Sequence, residues 1–111
     1  MRYSLFIMLG LTFVVTANAN AAIYKGHIFY TEDCRSCHQQ GDEISASRTQ
    51  SQWETVMQDH GKALAKTHLS SKSAIDSWDY FKSAKYERES RHLKDFLVEY
   101  AKDSGNVLAC E

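Results

Sequence analysis

Two cysteines and one histidine form the most chemically informative cluster in this sequence. Cys34 and Cys37 are separated by two residues, and His38 follows the second cysteine directly. This C-x-x-C-H order is typical of covalent haem attachment, because two thiols at this spacing can reach the two vinyl groups on adjacent edges of a porphyrin. The histidine then lies under the ring with a nitrogen directed at the iron. The cluster predicts one covalent haem c, attached through Cys34 and Cys37, with His38 as the proximal iron ligand.

Three other interpretations of the cysteine pair, a disulfide, a zinc site and a redox pair, account for fewer features of the sequence. A disulfide within the pair leaves the adjacent His38 as a coincidence. A zinc site usually needs four ligands, and only Cys110 and scattered histidines remain to supply them. A thioredoxin-like redox pair belongs in a βαβ context, which the hydrophobic pattern does not show. Cys110 is left over, either as an incidental thiol or as one that pairs between chains or reacts.

The motif does not specify which residue binds the iron from the other side. The candidates after residue 21 are His27, Met57, His60, His68 and His92. His27 precedes the motif on the attachment helix and is expected to face solvent, while His92 is expected to pack or to lie at the surface. Met57 lies on an apolar helical stripe and is expected to be a core residue.

We favour His68 as the sixth iron ligand, with His60 as the alternative. His68 falls where a helix is expected to end, so a short loop at residues 69–71 can turn its imidazole inward. Met57 and an open coordination position stay as further alternatives. The choice matters because two histidine ligands give a low reduction potential, methionine raises it, and an open position binds small gases.

The hydrophobic pattern predicts an all-α domain with four helical stretches, at about residues 23–34, 51–68, 73–82 and 88–102. Ser51 and Glu54 have the spacing of a capping box at the start of the second stretch. One face of that stretch contains Trp53, Met57, His60, Leu64 and His68. Residues 39–49 are polar, contain Gly41, and are predicted to form a loop.

The sequence pattern that predicts a helix is weak in the third stretch and strong in the fourth. Ser73 and Asp76 are a possible start signal for the third. The fourth has Leu93, Phe96, Leu97 and Tyr100 at the i, i+3, i+4, i+7 spacing of an amphipathic helix, and Gly105 is a plausible terminating residue.

Residues 1–21 are predicted to be a signal peptide. Arg2 supplies a positive charge, residues 5–15 are mostly apolar without charge, and the small residues that follow allow cleavage after Ala19 or Ala21. The apolar run is shorter than the about 20 residues that a bilayer span needs. An uncleaved membrane anchor is therefore the less favoured alternative, and no stable membrane insertion is expected after cleavage. The mature domain then comprises residues 22–111 and lies in the periplasm.

The charge pattern gives no sign of a nucleic-acid partner. The whole chain has a formal net charge of −1, and loss of Arg2 with the signal peptide makes it about −2. No cluster of lysine and arginine suggests an anionic surface as a partner.

The residues around the haem motif resemble the first helix of the cytochrome c superfamily. In that family a glycine and an aromatic residue precede the motif, as Gly26, Phe29 and Tyr30 do here. The resemblance implies a cytochrome c-like bundle of about four helices around one covalently bound haem. It also implies that the glycine lets the first helix cross closely against the last, with Phe96 or Tyr100 as the aromatic partner.

A shorter resemblance covers the middle of the chain, and the chain differs from the best-known members of the superfamily in one respect. Arg48, Trp53 and the pair His60 and Gly61 are similar to the helix after the motif in several bacterial cytochromes, including bis-histidine ones. The best-known small members of the superfamily present methionine from a proline-containing loop before the last helix. This chain has no proline, and residues 73–89 contain no methionine.

These observations predict a soluble electron carrier that exchanges one electron with periplasmic redox proteins. No nucleophile–base pair, carboxylate dyad or second metal motif accompanies the haem motif, so an enzyme is not expected. Two alternatives stay open. One is a five-coordinate haem that binds or senses a small gas, and the other is the haem subunit of a larger periplasmic oxidoreductase.

Overall fold

A computed structural model of the chain describes residues 19–109, which form helices and connecting turns without a strand. The α-helices in this range are α1 (Ala19–Asp33), α2 (Gly41–Ser45), α3 (Gln50–Val56), α4 (Gln58–Leu69), α5 (Trp78–Phe81) and α6 (Ala84–Glu99), with a 3₁₀ segment at Lys72–Ser77. The all-α prediction is confirmed for these residues. Cys110 and nearly all of the predicted signal peptide lie outside them. Within residues 19–109 no helix has the length and apolar character to cross a membrane.

The two longest helices, α1 and α6, pack against each other at Gly26. A Cβ atom at Gly26 would clash with the carbonyl oxygen of His92 and with Cβ of Phe96. Phe96 is fully buried, and its ring contacts Tyr30 at a centroid distance of 5.9 Å. The predicted close crossing of the first and last helices, with Phe96 opposite the glycine, is therefore present.

Helix α6 begins four residues before its predicted start at residue 88. Its N-cap is Ser83, whose Oγ accepts a hydrogen bond from the backbone N–H of Tyr86 at 3.2 Å. A serine in extended conformation before a helix satisfies one of the free N–H groups of the first turn. The buried face of α6 consists of Tyr86, Glu89, Ser90, Leu93, Phe96 and Leu97.

The capping box at the start of α3 lies two residues earlier than predicted. The Thr49 hydroxyl accepts a hydrogen bond from the Gln52 N–H at 3.2 Å, and the Gln52 side chain accepts one from the Thr49 N–H at 2.9 Å. Ser51 is inside the first helical turn and so cannot cap it. The assignment to Ser51 and Glu54 was wrong because two overlapping sequence patterns offered the same spacing.

The predicted continuous helix after Trp53 is interrupted. Asp59, His60 and Gly61 have φ angles of 55°, 57° and 69°, which is the left-handed region. A Cβ atom at Gly61 would clash with the hydroxyl of Tyr86, which donates a hydrogen bond to the Gly61 carbonyl at 2.6 Å. The interruption moves His60 off the shared face, so it is exposed while Met57 is buried.

Two short helical segments differ from the sequence predictions. The predicted loop at residues 39–49 contains α2, and the carbonyl of Ser45 at its end accepts a hydrogen bond from the Trp53 indole at 2.9 Å. The predicted third helix is a 3₁₀ segment followed by one turn of α-helix, α5. Its N-cap is Ser71 rather than Ser73, and no side chain caps it.

Candidate haem site

The haem motif forms a tight turn that continues from the end of α1. The N–H of Cys34 donates to the Tyr30 carbonyl at 2.9 Å, and the N–H groups of Cys37 and His38 donate to the Cys34 carbonyl at 3.2 and 3.0 Å. Cys34 is half-buried, whereas Cys37 and His38 are exposed. Both cysteines are reduced thiols in the described part of the chain. The turn thus places the two thiols and the imidazole together at one helix end.

The environment of Cys34 opposes formation of a thiolate. Burial, followed by the negative charges of Asp33 and Glu89, raises the pKa of its thiol to about 12. Cysteines that exchange disulfides or attack substrates have a lowered pKa, since the thiolate is the reactive form. Cys34 therefore lacks the electrostatic environment of a redox-active or nucleophilic thiol.

The imidazole rings of His38 and His68 lie next to each other in an edge-to-face arrangement. Their ring centroids are 5.8 Å apart, with an angle of 72° between the ring planes. A metal bound between two imidazole nitrogens, each about 2 Å away, holds the ring centroids roughly 6 Å apart. Desolvation by the surrounding protein, followed by the neighbouring His68, lowers the pKa of His38, which favours the neutral imidazole that binds a metal.

His68 has three contacts, two through its ring and one through its backbone carbonyl. Its Nδ1 is 2.8 Å from the Leu64 carbonyl oxygen, and its ring stacks on Phe81 at a centroid distance of 4.2 Å. Its backbone carbonyl accepts a hydrogen bond from the Trp78 indole at 2.8 Å. Because a carbonyl only accepts, Nδ1 is assigned the proton, and Nε2 is then the nitrogen with a lone pair for a metal.

The alternative candidates for the sixth ligand lie elsewhere. His60 is exposed and lines a cavity of ≈ 390 Å³ together with Phe81 and Tyr86. Met57 is 3% exposed and belongs to the core, as predicted for it. The structure brings His68, and neither of these residues, into ring contact with His38.

The two remaining histidines pack against aromatic rings. His92, predicted either to pack or to lie at the surface, is half-buried beside Phe29 at a centroid distance of 5.9 Å. His27 was predicted to face solvent, and this was wrong. It is half-buried and stacks on Phe96 at 5.1 Å with nearly parallel rings, because the close crossing at Gly26 brings α6 over this side of α1.

Sequence reasoning missed the two aromatic residues that orient His68. Trp78 and Phe81 lie in a stretch with a weak helical signal, and neither has the spacing of a recognised motif. A concentration of aromatic residues at Trp78, Tyr80 and Phe81 was the available signal. Aromatic residues so close together usually have a packing partner, which here includes the imidazole of His68.

No protein family, curated protein or solved structure that was compared with this chain matches it. In residues 19–109, no group of three histidine, cysteine, aspartate or glutamate side chains is arranged to hold a metal ion. The donors that do come together are two thiols and a pair of imidazoles. A covalently attached haem would need two thiols for its thioether bonds and ligands for its iron, and these four residues are of the types that could supply them.

Proposed function

We propose that the chain is a periplasmic cytochrome c that accepts and donates one electron through a single covalently attached haem. The main support is the pairing of His38 with His68 across 5.8 Å, directly beside Cys34 and Cys37. The haem supplies reversible one-electron chemistry at its iron. Cys34 and Cys37 hold it through thioether bonds, and the helices form a cytochrome c-like bundle around it.

In this proposal His38 and His68 would hold the haem iron. The hydrogen bond from Nδ1 of His68 to the Leu64 carbonyl fixes the tautomer that leaves Nε2 for the iron. Two imidazole ligands give a low reduction potential. Phe81 stacks on the His68 ring and Trp78 binds the His68 backbone carbonyl, so we expect little rearrangement during electron transfer.

Filled axial positions favour electron transfer over gas binding. If His38 and His68 both bind the iron, a gas would have to displace one of them. The backbone carbonyl of His68 is bonded to the Trp78 indole, and its ring lies against Phe81. Displacement of His68 therefore disturbs packed structure, which opposes binding of carbon monoxide or nitric oxide.

The proposed setting is the periplasm, after cleavage behind Ala19 or Ala21. The mature domain, residues 22–111, exchanges electrons with other periplasmic redox proteins, and neither nucleic acid nor the membrane is a partner. The support is the pattern of residues 1–21, with a charged start, an apolar stretch and small residues at the cleavage site.

Haem staining after denaturing electrophoresis tests the covalent attachment. The full chain is expressed with its signal peptide in a host that attaches c-type haem in the periplasm. We expect stained protein for the wild type and no staining for the double variant Cys34→Ala/Cys37→Ala. Cys110→Ala is the matched control and should stain fully, because Cys110 is outside the motif. Covalent haem in the double variant would refute the proposed site.

Visible spectra of the same protein test the electron-carrier proposal against its rivals. We expect low-spin spectra in the ferric and ferrous states and no change when carbon monoxide is added. A high-spin ferric spectrum with rapid carbon monoxide binding would instead favour a gas-binding protein. Purification in a fixed ratio with a larger protein would favour the subunit of an oxidoreductase.

A further inference from the structure

One tyrosine connects the left-handed turn at residues 59–61 to the aromatic ring that packs on His68. The hydroxyl of Tyr86 in α6 donates a buried hydrogen bond to the Gly61 carbonyl at 2.6 Å. The ring of the same tyrosine contacts Phe81 edge to face, at a centroid distance of 4.8 Å, and Phe81 stacks on His68 at 4.2 Å. Two buried rings, Tyr86 and Phe81, therefore lie between the turn and His68.

The left-handed turn needs a contact that holds its backbone. Left-handed backbone is unfavourable for residues other than glycine, yet Asp59 and His60 have φ angles of 55° and 57°. Both residues are exposed, so packing in the core does not hold them in this conformation. Gly61 is buried, and the Tyr86 hydroxyl occupies the space beside its Cα. The hydrogen bond from Tyr86 therefore fixes the turn to the core.

The backbone of the turn determines where His68 lies. The regular part of α4 begins after Gly61 and contains both Leu64 and His68. The Leu64 carbonyl oxygen is 2.8 Å from Nδ1 of His68, so the imidazole moves together with this helix. A change in the direction of the chain at residues 59–61 would therefore move the ring of His68 away from that of His38, which it contacts at 5.8 Å.

We propose that Tyr86 is a positioning residue of the haem site, which keeps His68 next to His38 by fixing the turn at Gly61 and by supporting the ring of Phe81. The inference rests on the proposed function, in which His68 would hold the iron. Tyr86 acts only through other residues, because a backbone carbonyl accepts its hydroxyl proton and the edge contact with Phe81 occupies its ring.

Two tyrosine variants separate this role from general packing. Tyr86→Phe removes the hydroxyl that binds Gly61 and keeps the aromatic ring. Tyr80→Phe is the matched control, because Tyr80 also contacts Phe81 edge to face, at 5.3 Å. Its hydroxyl, however, donates to Glu89 rather than to the turn. Both variants lose one hydroxyl from the same group of rings, and only Tyr86→Phe loses the contact with the turn.

Visible spectra of the haem-loaded variants, recorded below their unfolding temperatures, report whether His68 stays on the iron. Loss of one buried hydrogen bond shifts an equilibrium by roughly tenfold. In Tyr86→Phe we therefore expect the fraction of protein with His68 displaced to rise by roughly that factor, seen as a high-spin ferric component and as carbon monoxide binding to the ferrous protein. Tyr80→Phe should keep the low-spin spectra expected for the wild type.

Amide hydrogen exchange measures the effect on the backbone directly. Exchange in the regular part of α4, residues 62–69, should be faster in Tyr86→Phe than in the wild type, because the turn that precedes it has lost its contact with α6. Exchange in the same residues of Tyr80→Phe should match the wild type.

Three results would overturn the inference. The first is a Tyr86→Phe protein with the spectra of the wild type, and the second is the same spectral change in Tyr80→Phe. The third is faster exchange in Tyr86→Phe without a spectral change, since the turn would then have no effect on His68. A wild type without covalent haem would instead overturn the proposed function, and haem staining detects that failure before the variants are compared.

Discussion

The crossing of α1 and α6 and the region from α2 to α5 are stabilised in different ways. At the crossing, helices are long and regular, and the contacts are between apolar or aromatic rings around Phe96. From α2 to α5 the backbone is broken by a left-handed turn and a 3₁₀ segment. The first region is held by close packing, and the second requires additional hydrogen bonds to fix its irregular backbone.

Aromatic side chains supply those bonds. Trp53 donates to the Ser45 carbonyl at 2.9 Å, Trp78 to the His68 carbonyl at 2.8 Å, and Tyr86 to the Gly61 carbonyl at 2.6 Å. Each bond ties a backbone carbonyl near the end of a helical segment to a ring inside the fold. We infer that the crossing supplies most of the stability, while the region from α2 to α5 sets the position of His68.

The largest effect on stability is expected from Gly26→Ala. The new Cβ clashes with α6 backbone and with Phe96, neither of which can move away without separating the helices, so we expect a loss of about 3 kcal/mol. Thermal unfolding of the haem-loaded protein measures it. Gly105→Ala is the control, since its Cβ meets nothing within 4 Å and only its positive φ opposes the change, at about 1 kcal/mol. An equal loss of stability in Gly26→Ala and Gly105→Ala would contradict the close crossing of α1 and α6.

The next largest effect is expected on the coordination of the haem iron rather than on the stability of the fold. His68→Ala should convert a mainly low-spin ferric spectrum to a mainly high-spin one and should allow carbon monoxide to bind the ferrous protein. His60→Ala should change neither property, because His60 is exposed and turned away by the left-handed segment. The reverse result would make His60 the ligand. If neither variant changes the spin state, Met57 is the next residue to replace.

The smallest effect is expected from Trp78→Phe, which tests whether Trp78 positions His68 or only stabilises the fold. Trp78→Phe removes the donor to the His68 carbonyl, so we expect a loss of about 1 kcal/mol and a measurable increase in carbon monoxide binding. Trp53→Phe removes the equivalent donor to Ser45, in a side chain that is 4% exposed. It should lower the unfolding temperature at least as much without changing carbon monoxide binding. Equal ligand binding in both variants would mean that Trp78 has no orienting role.

Local sequence patterns predicted the regular part of the fold. The spacing of apolar residues in α6 indicated its buried face, and Gly26 with the aromatic residues after it indicated the close crossing. The C-x-x-C-H motif was visible because covalent haem attachment, which it predicts, requires fixed residue types and spacing. His68 was favoured from its place at a helix end, and the structure puts it beside His38; its role as an iron ligand remains a prediction.

The features that could not be predicted depend on residues distant in sequence. The left-handed turn at Gly61 is held by Tyr86, which comes 25 positions later. His27 is covered by Phe96 of α6, so its burial has no signature near position 27. Lys85 of α6 likewise forms an ion pair with Asp33 at the end of α1, 52 positions earlier. None of these contacts leaves a periodic or local pattern in the sequence.

The contact between Gly61 and Tyr86 also restricts how this sequence can diverge. Position 61 must be glycine both for its positive φ and for the space that the Tyr86 hydroxyl occupies. Position 86 must keep a donor that reaches the carbonyl of residue 61. Aspartate, asparagine and histidine tolerate left-handed backbone better than most residues, so positions 59 and 60 can vary among a small set. In related sequences that keep this turn, position 61 should therefore stay glycine, and position 86 should stay a residue that can donate to its carbonyl.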